Sequence, residues 1–168
     1  MMKIMDKVCE KLGSEKVAAE HLGQIVEFIQ VFADKCHHGK EEGLLFPAIE
    51  ETGIPRDGGP TGAMLEEHEI GRSYVKAMKE AAENYKNGDA EAAAKFAENA
   101  RNYIRLLTEH IDKEDNILYE IADMHLSEEK QKELLCEFEK VENEKIGAGK
   151  HEEFHKLLER LKETYAVS

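Results

Sequence analysis

Apolar residues recur along this chain at the three- and four-residue spacing of amphipathic helices, and no stretch alternates with the period of two that marks a half-buried strand. Residues 1–12 read as a short amphipathic helix stopped by Gly13, with Ser14 placed to cap the next one. That next helix is expected over 15–51. Its apolar stripe is Leu22, Ile25, Val26, Ile29, Phe32, Ala33 and Cys36, and Gly39, Gly43 and Pro47 are points where it can bend. Residues 53–62, with Pro55, Asp57-Gly58-Gly59 and Pro60, form the one clear loop. A helix over 61–87 ends at Asn87-Gly88, and Asp89 caps a long one over 90–125. Ser127 opens another to about 143. Gly147 and Gly149 break the chain before a last helix over 150–165. The expected fold class is all-α: an antiparallel helical bundle with an extra C-terminal helix. We read 1–168 as a single domain, with its core in 14–125 and a helical extension in 127–168.

Composition narrows the functional classes. The chain of 168 residues carries a formal charge of −13 with both signs interspersed. Such a field repels phosphate backbones and anionic lipid, so neither nucleic acid nor membrane is an expected partner. Cys9, Cys36 and Cys136 are an odd number without a CxxC pair, which suits neither a disulfide framework nor a thiolate zinc site. Apolar runs are too short to span a bilayer, and the start lacks the basic-then-apolar pattern of a signal peptide. The cytoplasm is therefore the expected compartment.

The histidines carry the candidate chemistry. A histidine with a carboxylate four residues on presents both side chains on one helix face, and imidazole with carboxylate suits iron, manganese or zinc. This pattern occurs at His37/Glu41, His38/Glu42, His110/Glu114 and His125/Glu129. With 29 glutamates in 168 residues, spacing alone proves little, so facing direction decides. On the helix ending near 125, His110 and Glu114 fall inside the stripe of Phe96, Ala100, Leu107, Ile111, Leu118 and Ile121. A glutamate there is costly unless paired or coordinated. Asp115 lies roughly 80° off that stripe. On the helix over 61–87, His68 falls in the stripe of Met64, Gly71, Val75, Met78 and Ala82, with Arg72 at its edge. On the helix over 15–51, α-helical steps place His37 roughly 60° and His38 roughly 160° from the stripe centre. His37 and Glu41 are thus expected to face in and His38 to face out.

The stretch from Phe32 through His37-His38-Gly39-Lys40-Glu41-Glu42 to Leu45-Phe46-Pro47 resembles the second-helix signature of hemerythrin-like (HHE) cation-binding domains. Glu66-Glu67-His68-Glu69 with Arg72 resembles the third-helix motif, and His110-Ile111-Asp112-Lys113-Glu114-Asp115 with Leu118-Tyr119 the fourth. The resemblance implies a four-helix bundle around two irons bridged by two carboxylates and an oxo or hydroxo group. Carried over, the ligands are His37, Glu41, His68, His110 and Glu114, with Glu41 and Glu114 as bridges and Glu42 and Asp115 as second choices. It implies iron, two ions per chain, with zinc or manganese as alternatives, and a diatomic ligand (O2 or NO) or peroxide as the molecule handled.

Two departures stand out. Oxygen-carrying relatives have a further histidine where this chain has Arg72, which argues against plain reversible oxygen carriage and leaves Arg72 to pair with a nearby carboxylate. Relatives also start with a helix bearing a histidine, whereas residues 1–13 have none. His21 lies roughly 24 Å along the helix from His37, too far to serve. A shortened first helix leaves an edge on which a homodimer could form. His151 and His155 are candidates to complete the site. Their segment His151-Glu152-Glu153-Phe154-His155 also matches HExxH, which would make a zinc hydrolase with Glu152 as general base. A metal-free helical interaction protein is the other alternative. A ferritin-like centre fits poorly, since it needs two ExxH motifs and only Glu152/His155 is found.

Overall fold

The computed structural model describes residues 1–14, 17–145 and 149–167, and among them the structure is helical with no strand. Six helices follow in order: α1 (Met2–Leu12), α2 (19–51), α3 (Pro60–Lys86), α4 (92–125), α5 (Glu128–Lys145) and α6 (Lys150–Tyr165). The predicted cap at Ser127 is present, whereas the helix expected to start after Asp89 begins at Ala92 with Glu91 at its N-cap position, and Asp89 makes a turn just before it. The Asp89 side chain accepts from the Glu91 N–H at 2.9 Å, and Ser127 Oγ accepts from the Lys130 N–H at 3.2 Å. Gly88 ends α3 at φ 88°, a left-handed turn that glycine enters without a Cβ penalty. The expected starts at Glu15, and the breaker Gly147, lie outside the described residues.

Helices α2, α3 and α4 pack side by side, α1 lies against α4 and α6, and α5 crosses α2. Their apolar stripes meet in two clusters. One joins Ile4, Met5 and Val8 of α1 to Leu22, Ile25, Met78, Phe96, Ala100 and Leu161. The other, at the opposite end, joins Phe46, Ile49, Met64, Leu118 and Ala122 to Leu126 and Leu134. Buried side chains of α1 belong to the first cluster alone. Between the two clusters sit the buried polar groups His38, Glu41, His68, His110 and Glu114.

The long helices are not regular. In α2 the ladder widens to π-helix over Ile29–His38 and again over Glu41–Leu45, and in α4 it widens over Glu114–Leu118. An i→i+5 ladder turns each residue through less than the ~100° of an α-helix, so the facing direction drifts as the segment proceeds. The consequence is visible at once. Phe32, expected on the buried stripe, is 38% exposed, and His38, expected to face out, is buried. Pro47, which has no N–H to give, sits where the ladder of α2 returns to α-helix.

Candidate metal centre

Three helices deliver the polar cluster. His38 and Glu41 come from α2, His68 from α3, and His110 and Glu114 from α4. Glu41 and Glu114 each open a π-helical turn, which aims both carboxylates into the space between the helices. Donor atoms of Glu41, His68, His110 and Glu114 all lie within 4.8 Å of one another, and so do those of His38, His68 and His110. The spacings are short. His68 Nε2 is 3.2 Å from His110 Nε2, His110 Nε2 is 2.9 Å from Glu114 Oε1, and His68 Nε2 is 3.4 Å from Glu41 Oε2. On the outer side, His37 Nε2 stands 3.3 Å from Glu114 Oε1 and 3.6 Å from Glu41 Oε2, with its side chain 42% exposed.

A set of carboxylates behind the imidazoles fixes their orientation. His68 Nδ1 is 2.7 Å from Glu42 Oε1, and His110 Nδ1 is 2.9 Å from Glu67 Oε2. With Nδ1–H donated outward, Nε2 is the nitrogen left to bind a metal, the arrangement by which proteins set the tautomer of ligating histidines. Glu67 is itself paired with Lys113. Burial works to raise its carboxyl, but Lys113 and His110 outweigh that and hold it below its ordinary value. Arg72 braces the same shell, donating to Glu42 at 2.6 Å, Asp34 at 2.8 Å and Glu69 at 2.7 Å.

Burial and charge act against each other at the centre. Burial disfavours the Glu114 carboxylate, yet hydrogen bonds and charge from His110 and His37 hold it down at about 2. Burial likewise disfavours charge on His110, but Glu114 and Glu67 raise it above its ordinary value. His37 is raised chiefly by its hydrogen bond to Glu114. The buried carboxylates thus favour positive charge in their midst, which is the condition for holding a cation. Both oxygens of Glu41 and both ring nitrogens of His38 are buried with no hydrogen-bond partner. Unpartnered buried polar atoms are rare and costly, and oxygen and nitrogen donors converging at this range fit a hard or borderline divalent ion.

The chain matches the model of the hemerythrin HHE cation-binding domain over residues 1–122. It is a member of the hemerythrin family. The matched span holds α1 to α3 and nearly all of α4, and with them every member of the buried cluster. No curated protein and no solved structure is significantly similar to the chain. This hemerythrin domain gathers His37, Glu41, His68, His110 and Glu114 at one place, and with them His38, of the candidate pair His38/Glu42. The outward placement of His38 is corrected by the π-helical turn of α2. Glu42 lies behind His68 and does not reach the shared donor space. Asp115 is exposed and takes no part. His151 stands 2.7 Å from Glu142 and edge-on to Phe32, and His155 is exposed. Neither joins a metal-sized group among the described residues, and Phe154 between them is buried in the first apolar cluster. His21 meets the Tyr165 hydroxyl at 2.7 Å, within that cluster's end of the bundle.

Glu67 and Asp34 escape sequence reasoning. The partners of Glu67 lie on another helix, so no spacing along its own helix points to it; Asp34 stands one turn before His38, a spacing the search for a carboxylate four residues after a histidine passes over.

Proposed function

We propose that this hemerythrin-family protein holds non-haem iron, two ions per chain, between α2, α3 and α4. We propose further that the iron serves to bind or sense O2, peroxide or NO, or to buffer iron in the cytoplasm. The observation that carries this reading is the buried quartet of Glu41, His68, His110 and Glu114, whose donors lie within 4.8 Å of one another. Imidazole and carboxylate without thiolate suit iron, and family membership gives the quartet its expected role. Glu41 and Glu114 would be the bridging carboxylates, because each approaches histidines on two sides: Glu114 meets His110 and His37, and Glu41 meets His68 and His37. When bound, iron supplies the redox chemistry that small oxygen and nitrogen ligands require.

The chain's own residues set the terms of access. His37 is the half-exposed member, so water and small solutes meet the centre on its side. On the inner side, Glu42 and Glu67 hold His68 and His110 against rotation, and the Phe46 ring lies over His68 at 5.8 Å. Arg72 keeps a positive charge beside the carboxylates but is bound to three of them, so it braces the site and is not free to leave it. The experiment is anaerobic loading with Fe(II) followed by separate exposure to O2, hydrogen peroxide and NO under an ultraviolet-visible spectrometer. Two bound irons and a change with at least one of these ligands is the expected result. Iron that binds but responds to none of them would leave the buffering role alone. A protein that takes only one zinc would refute the di-iron reading.

A further inference from the structure

One buried group at the centre has no role in the ligand set carried over from the family. His38 follows His37 directly, and on an α-helix the two would point roughly 100° apart. The π-helical ladder over Ile29–His38 brings both to the centre, His37 at its outer edge and His38 inside it. The His38 ring lies flat on His68, with centroids 3.8 Å apart and planes 13° apart. Its two nitrogens are shut away from water and accept or donate no hydrogen bond. One of them is within 4.8 Å of donor nitrogens of both His68 and His110.

The surroundings repeat the pattern of the other two inner histidines. Each has a carboxylate behind Nδ1: Glu42 behind His68, Glu67 behind His110, and Asp34 behind His38 at 3.4 Å. With Asp34 on that side, Nε2 is the nitrogen left for a metal. The Arg72 guanidinium, one turn after His68, turns to Asp34, Glu42 and Glu69, and so props the carboxylates behind His38 and His68.

We infer that His38 is a metal ligand, supplying an inner nitrogen from α2 beside those of His68 and His110. This rests on the metal-centre reading above. A ligand and a mere packing ring make opposite demands. The ring alone needs shape, whereas a ligand leaves two buried nitrogens unsatisfied until the metal arrives.

His38→Phe separates the two, because it keeps a ring on His68 and removes both nitrogens. The full chain, stripped of metal, is titrated with Co(II) under nitrogen, and thermal unfolding is followed with and without the ion. Cobalt reports its donor set through its visible bands. The expected result is Co(II) affinity lowered at least tenfold and an altered visible spectrum. The metal-free variant is expected to melt at or above the wild-type temperature, and to gain less than the wild type when Co(II) is added. His38→Gln serves if the phenylalanine variant does not fold, with the same loss of affinity expected. Wild-type affinity and spectrum in His38→Phe would overturn the assignment. So would a fall in melting temperature of equal size with and without metal, which is what a packing ring gives. A wild-type chain that binds neither Co(II) nor Fe(II) would instead bring down the metal reading itself, and His38 with it.

Discussion

Glu67 is the sharpest place to test how the centre is held. It touches no shared donor space, yet its carboxylate accepts from His110 Nδ1 at 2.9 Å and pairs with Lys113 across the α3–α4 interface. Its side chain is 16% exposed and that of His110 is 3% exposed, so water cannot readily replace it. Glu67→Ala leaves the His110 Nδ1–H without an acceptor, which costs about 1–3 kcal/mol in the metal-free fold. It also frees the imidazole to change tautomer or tilt. Losing such an outer partner typically lowers metal affinity 10–100-fold, about 1.4–2.7 kcal/mol. Glu67→Gln retains an acceptor for His110 and should recover most of the affinity, though not the charge opposite Lys113. Glu69→Ala is the control on the same helix. Glu69 is 74% exposed and its partner is Arg72, so stability should move by about 0.5 kcal/mol or less. Urea unfolding gives the stability differences and competition with a chelator of known affinity gives the metal differences. Metal affinity in Glu67→Ala within about twofold of wild type would refute the idea that a carboxylate behind Nδ1 fixes the ligand.

The metal-free protein should be most stable near pH 6.5, for reasons of opposite sign on the two sides. Burial, aided by the neighbouring His68, His37 and His110, lowers His38 to about 2 from an ordinary value of 6.5. The unfolded chain therefore takes up that proton first, and stability falls by about 1.4 kcal/mol per pH unit as pH drops below 6.5. Glu114 adds to the loss below its ordinary value of 4.5. His37 and His110 are raised, so their contribution is present below 6.5 and fades as pH rises through their folded values. A melting temperature at pH 5 equal to or above that at pH 6.5 would contradict this. In the packing around the site, Phe46→Ala removes a fully buried ring that lies over His68, and should cost about 3–5 kcal/mol in urea unfolding and weaken metal binding as well. A loss below about 1 kcal/mol would mean that the ring does not support the centre.

The helices were legible because most of the chain follows one period. From Ala92 to Lys113 helix α4 is regular, and there the wheel places His110 on the buried face; Glu114, the next residue, follows it inward. His68 was legible for the same reason on α3. The wheel fails on α2, where the π-helical ladder starts at Ile29: Phe32 turns out and His38 turns in. A wheel drawn at one fixed angle cannot register that drift. A sequence signal was nonetheless there. Adjacent histidines followed by adjacent glutamates put like donors on two faces of an α-helix, a conflict that a wider ladder removes. Glu67 was illegible for a different reason. What it does depends on Lys113 and His110 of another helix, and helix register across an interface is set by packing. Asp34 pairs with Arg72 across the same kind of interface, and its nearness to His38, one turn on, matters only because His38 turns in. Among the described residues no helix is long and apolar enough to cross a membrane, as the short apolar runs had suggested.

The most direct test of the account is metal content by inductively coupled plasma mass spectrometry, with an ultraviolet-visible spectrum, on protein purified without a histidine tag. The account predicts about two irons per chain, a stoichiometry set by two bridging carboxylates, and their loss in His110→Ala and Glu114→Ala. A wild-type chain that is folded, colourless, free of metal and impossible to load with iron would contradict it.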